Sequence, residues 1–459
     1  FVGLWCDGVD VHALFLPDCY QLAATLALEG GRYPALSPAR VASSLYERTI
    51  YDLYGAEAMW AVDVRPLLDH DVWSATAPLS AAPGRGGQHK GLVSFQPSDA
   101  MSAAKGRVDG RGPATGGLAP PFYTRLVLSG SVVACGETQT GYAHRGVAAR
   151  ARHARVEDVS RLSARVAAGC SVAHQVAFCQ AVENACGQSV GAEIELLRVA
   201  LLEMERLFQH LYTLAALARL AGAHLVASHC MALREKLVAE AAPVTGSRLL
   251  MDVCIPGGLS VRETAQMAQL CTQLYEIGQQ AYPQLVLLWR EYPGLSALLA
   301  GVGQVQADDL ERIGLDGPVA RAAGWDCDGR RIMPAYDGLW RYTSGRQGGT
   351  AKDRALLLLD EVEESLRILD LASARIGLAP AANHTLSVQD GEGTGLVEGQ
   401  WGGVLYWVRL AHGRVAEAFC RKPETAALLV FEQALPTHAA EDVELLACSL
   451  GVNAAALDG

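Results

Sequence analysis

The sequence predicts an α+β protein. A small N-terminal α/β domain is joined by a linker to a mainly helical bundle with small β additions. Three observations predict this. Residues 1–77 mix short apolar runs such as "VDVHALFLP" with turn residues, the texture of a small α/β domain. Residues 78–116 are rich in Gly, Ala, Ser and Pro ("SAAPGRGGQHKG", "GRVDGRGPATGG") and read as a linker or a long excursion. Residues 117–459 carry long stretches of helical periodicity.

The elements follow in order. "FYTRLVLSGSVVACGET" reads as a pair of strands ahead of the helices. The clearest helix is "GAEIELLRVALLEMERLFQHLYTLAALARLAG". Ile194, Leu197, Leu201, Met204, Phe208 and Leu211 recur at steps of three and four, which puts them on one face. Glu203 and Arg206 fall on the other side, spaced as an i,i+3 ion pair, and Gly222 supplies the stop. A second long helix runs through "AKDRALLLLDEVEESLRILDLASARIG". Between the two, "TGSRLLMDVCIPGGLS" is rich in turn residues. The C-terminal stretch "GTGLVEGQWGGVLYWVRLAHGRVAEAFC" alternates and predicts a hairpin turning near His412–Gly413. "GEGTG" at 391–395 lacks the lysine and the strand–helix setting of a phosphate loop, and reads as a turn. No internal repeat is visible.

Composition narrows the class. The chain has 459 residues, enough for about two to three domains. Half the residues are hydrophobic and the mean hydropathy is +0.15, which fits a large helical core or extensive surface buried against partners. The net charge is −11 with no basic stripe, which argues against a nucleic-acid partner. The best membrane candidate, Thr213 to Leu233, is interrupted by Arg219, Gly222, His224 and His229. A spanning helix needs roughly 20 mostly apolar residues. The chain opens on Phe1 rather than Met, so a preceding segment is expected. Twelve cysteines occur without one C-x-x-C, which points to a reducing compartment and away from local zinc or ferredoxin-type sites.

Several segments carry a family resemblance. "YPALSP", "YERTIYDLYG" and "DVRPLLDHDVW" resemble the 30-kDa-type subunit of respiratory complex I. "GYAHRG", "RVAAGCSVAHQVAFCQAVENACG", "LLEMERLFQHL", "TGSRLL" and "IPGGLS" resemble the complex I 49-kDa subunit and the large subunit of group 4 nickel–iron hydrogenases, as in formate hydrogenlyase and hydrogenase-4. The pieces stand in the family's order across nearly the whole chain. The resemblance implies a 30-kDa-like accessory domain at 1–77 and a linker at 78–116. It implies a hydrogenase-large-subunit bundle at 117–459, docked on an iron–sulfur small subunit.

The same resemblance places four thiolates, since soft sulfur ligands hold nickel and bridge it to iron. By position they fall on Ala167, Cys170, Asn453 and Ala456, so only one is a cysteine. The glutamate expected after "HRG" is Ala148, and the arginine expected after "VEG" is Trp401, preceded by Gln400. The serine expected in "RKPE" is Glu424. The quinone-holding histidine and tyrosine of the 49-kDa subunit fall on Thr115 and Ala168. The expectation is therefore no metal and no cofactor bound by this chain. A quinone is the conceivable ligand, and a [4Fe–4S] cluster belongs to a partner subunit.

Candidate cavity residues are Thr115, His144, Arg145, Ala167, Ala168, Cys170, His174, Glu183, Trp401, Asn453 and Ala456. Cys170 and His174 share a helical face, and read as a buried thiol and a hydrogen-bonded core histidine. Trp401 reads as a plug for the emptied pocket, and Glu183 as a paired helix carboxylate. The implied function is a subunit of a complex-I-like membrane oxidoreductase. It would accept electrons from an adjacent iron–sulfur subunit for quinone or another acceptor, and couple to an ion-translocating arm. The alternative is a non-catalytic scaffold in the same kind of complex; active hydrogenase is disfavoured. The implied partners are the iron–sulfur small subunit, a ferredoxin-like subunit and polytopic membrane-arm subunits. The implied location is peripheral, on the cytoplasmic face of a bacterial inner membrane.

Overall fold

The computed structural model describes residues 1–16, 22–86, 95–114, 121–167, 169–261, 263–342, 346–378, 383 and 386–457. The N-terminal domain opens with the antiparallel strands β1 (Gly3–Cys6), β2 (Asp10–Phe15) and β3 (Leu22–Ala27), in that order across the sheet. Helix α1 (Ser43–Tyr54) packs on β1 through a small core of Leu4, Cys6, Val11, Tyr33, Ile50 and Ala56. Gly55 ends α1 in the left-handed conformation (φ 70°), where a β-carbon would be strained.

The linker expected at 78–116 is partly structured. It forms the helix Asp99–Ala103 and then β4 (Arg107–Arg111). β4 adds an edge to the strand pair β5 (Tyr123–Ser129) and β6 (Val132–Gln139). Its Gly/Arg composition hid a strand whose ladder partner, β5, begins only at Tyr123.

The bundle is built from α2 (Val156–Ser163), α3 (Ser171–Ala185), α4 (Ala192–Leu220), α5 (His224–Thr245), α6 (Thr264–Glu291) and α7 (Ala351–Ser373). α4 ends as expected: the Ala223 amide bonds the Ala218 carbonyl at 2.7 Å around Gly222 (φ 77°). α7 starts on a reciprocal cap between Thr350 and Asp353. The face of α4 carrying Glu203 and Arg206 is not a solvent face, for both side chains are fully buried. Between Leu197 and Leu211 α4 is buried on nearly every side, so its apolar stripe marks only part of its buried surface.

The C-terminal stretch forms a three-stranded antiparallel sheet of β7 (Gly391–Gly399), β8 (Gly402–Ala411) and β9 (Arg414–Arg421). His412 (φ 53°) and Gly413 (φ 71°) make the expected turn between β8 and β9. A second two-residue turn, Gln400–Trp401, joins β7 to β8. α8 (Pro423–Ala434) and α9 (Val443–Leu450) follow. One face of the sheet lies on α3. "GEGTG" is therefore strand rather than turn. A β-carbon on Gly393 or Gly395 would collide with the α3 backbone at Ala181 or Ala177. Small residues on both elements let strand and helix backbones approach closely.

The other face meets the N-terminal sheet. Trp5 stacks on Phe419 with ring centroids 4.6 Å apart, and lies 5.4 Å from Trp407. Asp7 pairs with Arg409 at 2.7 Å. Among the described residues, no helix is long and apolar enough to cross a membrane. The close helix–strand contact gives a first prediction. Gly395→Ala drives a methyl into the Ala177 carbonyl and should cost about 1–3 kcal/mol, as overpacked cores do. The thermal unfolding midpoint should fall by several degrees; an unchanged midpoint would show that the contact yields.

Candidate functional site

The loop before α3 is the centre of the site. α3 begins at Ser171 with Cys170 as its cap residue, but the cap is supplied from α4. The Glu205 carboxylate accepts the Val172 amide at 2.6 Å and the Ala173 amide at 3.1 Å. This satisfies two of the helix's orphan donors. Burial still outweighs those bonds and pushes Glu205 up to about 8.

Cys170 is fully buried, next to the Gly169 carbonyl that Gln400 bonds. Burial holds its thiol well above the ordinary range, so it is no thiolate at neutral pH. His174 sits one turn on, and its Nδ1 lies 3.1 Å from the Tyr406 hydroxyl and 3.5 Å from Cys420 Sγ. Burial lowers its pKa to about 3, helped by the positive charges of Lys422 and Arg145. It is a neutral, hydrogen-bonded core histidine. Cys170 and His174 thus form no shared site, since the histidine turns to Tyr406 and Cys420.

The turn between β7 and β8 reaches the same loop. Gln400 is buried and its amide donates to the Gly169 carbonyl. Trp401, expected to plug the cavity, is half-buried, and its ring lies flat against Gly451 at the end of α9. The filling group beside Cys170 is Gln400. The reason is geometric: adjacent residues of a two-residue turn point to different sides.

Arg145 clamps the assembly. Its guanidinium donates to the Arg165 carbonyl at 2.8 Å, the Val166 carbonyl at 2.6 Å and the Ala455 carbonyl at 3.4 Å. It thereby holds the loop before α3 against the C-terminal 3-10 turn Ala454–Leu457, which includes Ala456. His144 stacks on Trp73 at 4.6 Å, tying this corner to the N-terminal domain. Asn453 Oδ1 accepts the Ala455 amide at 3.1 Å. Glu183 is not part of the site. It forms a two-pronged pair with the buried Arg198 at 2.6 and 2.9 Å, on the order of 20 Å along α3 from Cys170. Thr115 and Ala168 lie outside the described residues.

A nickel–iron centre does not fit this donor set. Ala167 has no donor, Cys170 is a buried thiol held in its protonated form, and the Asn453 oxygen accepts a backbone amide two residues on. Among the described residues, no group of three or more His, Cys, Asp or Glu is placed to hold a metal ion.

Sequence reasoning missed the structure behind the turn, a buried lattice of charge. Arg206 donates to the carbonyls of Glu398 at 2.9 Å and Gly399 at 3.0 Å, the two residues before Gln400. Arg321 pairs with Glu361 at 2.6 Å and Glu398 at 2.8 Å. Arg330 pairs with Asp328 at 2.7 Å, and His210 with Glu361 at 2.7 Å. Glu203 accepts the hydroxyls of Tyr336 at 2.7 Å and Ser365 at 2.6 Å, and lies 3.3 Å from Arg206. Every one of these charged side chains is at most 2% exposed. Glu203 and Arg206 were visible as a pair; their burial was the missing signal.

The lattice sets Arg206, Arg321 and Arg330 against Glu203, Asp328, Glu361 and Glu398. The surplus carboxylate favours one retained proton, and Glu398 is pushed up to about 7, by burial first and by Asp328 and Asp316 after it. A carboxyl whose folded pKa is raised stabilises the fold fully below its unfolded value of about 4.5 and loses that contribution as pH rises through about 7. Glu398→Gln should therefore flatten the decline of the unfolding midpoint between about pH 5 and 8. An unchanged pH profile would place the proton elsewhere.

Comparison with known proteins agrees with this architecture. The solved membrane-bound sulfane sulfur reductase (MBS), an archaeal respiratory membrane complex, contains a chain that superposes with a TM-score of 0.72 at 22% identity, covering 77% of this chain and 98% of that one. Residues 221–389 match the family model for the respiratory-chain NADH dehydrogenase 49 Kd subunit.

Relatives include an NADH-quinone oxidoreductase subunit of Salinispora arenicola, 31% identical over 56% of this chain and 67% of that protein. The carbon monoxide-induced hydrogenase of Rhodospirillum rubrum is 26% identical over 65% of this chain and 84% of that protein. Formate hydrogenlyase subunit 5 of Escherichia coli is 26% identical over 74% of this chain but only 61% of that protein. The chain belongs to the family of the respiratory-chain NADH dehydrogenase 49 Kd subunit.

Proposed function

We propose that this chain is a subunit of a complex-I-like, group 4 hydrogenase-like membrane complex, at the large-subunit position but without a nickel–iron centre. Residues 1–77 serve as the counterpart of the complex I 30-kDa-type subunit. An adjacent iron–sulfur small subunit with a [4Fe–4S] cluster delivers electrons toward the loop before α3. Quinone or another acceptor takes them there, and the complex couples to polytopic membrane-arm subunits. A ferredoxin-like subunit completes the electron path, and the whole sits peripherally on the cytoplasmic face of a bacterial inner membrane. The observation that carries the reading is the intact large-subunit fold around a loop whose only sulfur ligand is a buried, protonated Cys170.

Exposed apolar groups support a multisubunit setting. β3 is exposed along its whole length, and Trp60, Val62 and Val64 are 78, 66 and 76% exposed in one short segment. Such surface marks partner contacts more often than free solvent.

A second reading, a non-catalytic scaffold, draws on a different observation. Among the described residues, Ala167, Cys170 and His174 are at most 1% exposed, and Gln400 reaches the Gly169 carbonyl beside Cys170. One experiment tests both. The tagged chain, purified in mild detergent, should bring down an iron–sulfur protein and polytopic membrane proteins. Recovery of a monodisperse, free-standing monomer would contradict membership of a complex. Reduction of a short-chain quinone by reduced viologen in the intact complex supports the electron-accepting reading; failure to reduce it favours the scaffold.

A further inference from the structure

A crevice lies between the end of α6, the short helix Leu295–Ala300 and the first turn of α7. It encloses about 260 Å³, close to the lower bound for ligand pockets, about 300–1,000 Å³. Trp289, Leu299 and Leu356 supply its apolar lining, and Ser296 adds a hydroxyl. The charged groups of the lining are Arg290, Arg346 and Lys352. Among the described residues no carboxylate lines the crevice, and none of its lining residues belongs to the loop at Cys170.

The three cations are only partly compensated. Arg346 bonds the Asp360 carboxylate and the Leu356 carbonyl, while its Nε is buried without a hydrogen-bond partner. Asp360 also feels the charge of Arg290, so one carboxylate serves two guanidinium groups. Among the described residues, neither Arg290 nor Lys352 forms an ion pair or a side-chain hydrogen bond. Arg290 stands in the last turn of α6, where a cation suits the helix's negative end. Lys352 stands in the first turn of α7, the positive end, which disfavours a cation and favours an anion. Its neighbour Asp353 is occupied in the reciprocal cap with Thr350.

We propose that this crevice binds a phosphate monoester, with the phosphate held among Arg290, Arg346 and Lys352. Three cations and the one carboxylate that two of them share leave a surplus of two positive charges, which a phosphate monoester near its doubly charged form balances. Guanidinium groups present paired N–H donors to phosphate oxygens, and lysine adds a movable point charge. The apolar lining strengthens that attraction by keeping the local dielectric low. Exposed Leu287 lies one turn before Arg290 on α6, and exposed Leu298 stands next to Leu299. With apolar groups beside the cations, the phosphate can be that of a lipid headgroup or of a soluble ester. The inference does not depend on the electron-accepting reading.

The test uses the full chain with its partners, moved from detergent into a non-ionic amphipol, in phosphate-free buffer at low salt. Calorimetric titration with glycerol phosphate should saturate, and glycerol should not bind. Dioctanoyl phosphatidate binding at least tenfold tighter than glycerol phosphate supports the site as one for a lipid headgroup. A smaller difference supports it as one for a soluble ester. Lys352→Met and Arg290→Met keep bulk and remove charge; each should weaken glycerol phosphate at least fivefold. Lys236→Met, which removes an exposed lysine of α5 that does not line the crevice, should stay within twofold of wild type. No saturable binding, a loss below fivefold in either crevice variant, or an equal loss in Lys236→Met would each overturn the proposal. Should Arg290→Met fail to assemble, Lys352→Met decides alone, since α7 loses only a cation at its positive end.

Discussion

The structure depends on a buried lattice of charge. Arg206 on α4, Arg321 and Arg330 in the segment before α7, and the carboxylates of Glu203, Asp328, Glu361 and Glu398 compensate one another with no solvent to help. Charges taken out of water tolerate little disorder, because removing one partner leaves another uncompensated, at a cost of about 3–5 kcal/mol. Three parts of the chain that are distant in sequence are therefore fixed relative to each other: α4, α7 and the end of β7.

That constraint reaches the candidate site through the backbone. Arg206 grips the carbonyls of Glu398 and Gly399, so the next two residues form a turn at a fixed place. Gln400 is thereby held over Gly169 and Cys170, while Trp401 is turned onto Gly451. Glu205, one residue before Arg206, caps α3 from the same helix. The loop that would carry metal thiolates in a hydrogenase is pinned from two sides by α4 and its dependants. In the proposed reading these protein contacts take the place of a metal in ordering it.

Much of this was legible in the sequence. Period-three-and-four hydrophobicity marked α4 and α7, and Gly222 marked the stop of α4. Alternation and His412–Gly413 marked the β8–β9 turn. Local signals of this kind are read from neighbours in the chain. The missed features depend on distant partners. Glu203 and Arg206 look like a surface pair until α7 and Tyr336 cover them. "GEGTG" looks like a turn until the alanine face of α3 is laid on it. β4 was hidden by a linker-like composition because its ladder is supplied by β5. Among the site residues, Cys170, His174 and Arg145 converge near one loop, while Glu183 belongs to a separate ion pair with Arg198. Tyr406, Cys420 and Lys422 gave no motif, since alternate positions on two strands and a helix cap bring them together only in three dimensions.

We propose that the large-subunit scaffold stands here on internal ion pairs and a glutamine-filled loop instead of a nickel–iron centre. Nickel content of the intact complex, quantified per copy of this chain by elemental analysis, tests it most directly, because partner iron–sulfur clusters contribute iron but no nickel. A fully assembled preparation should carry only trace nickel. One nickel per chain would contradict it.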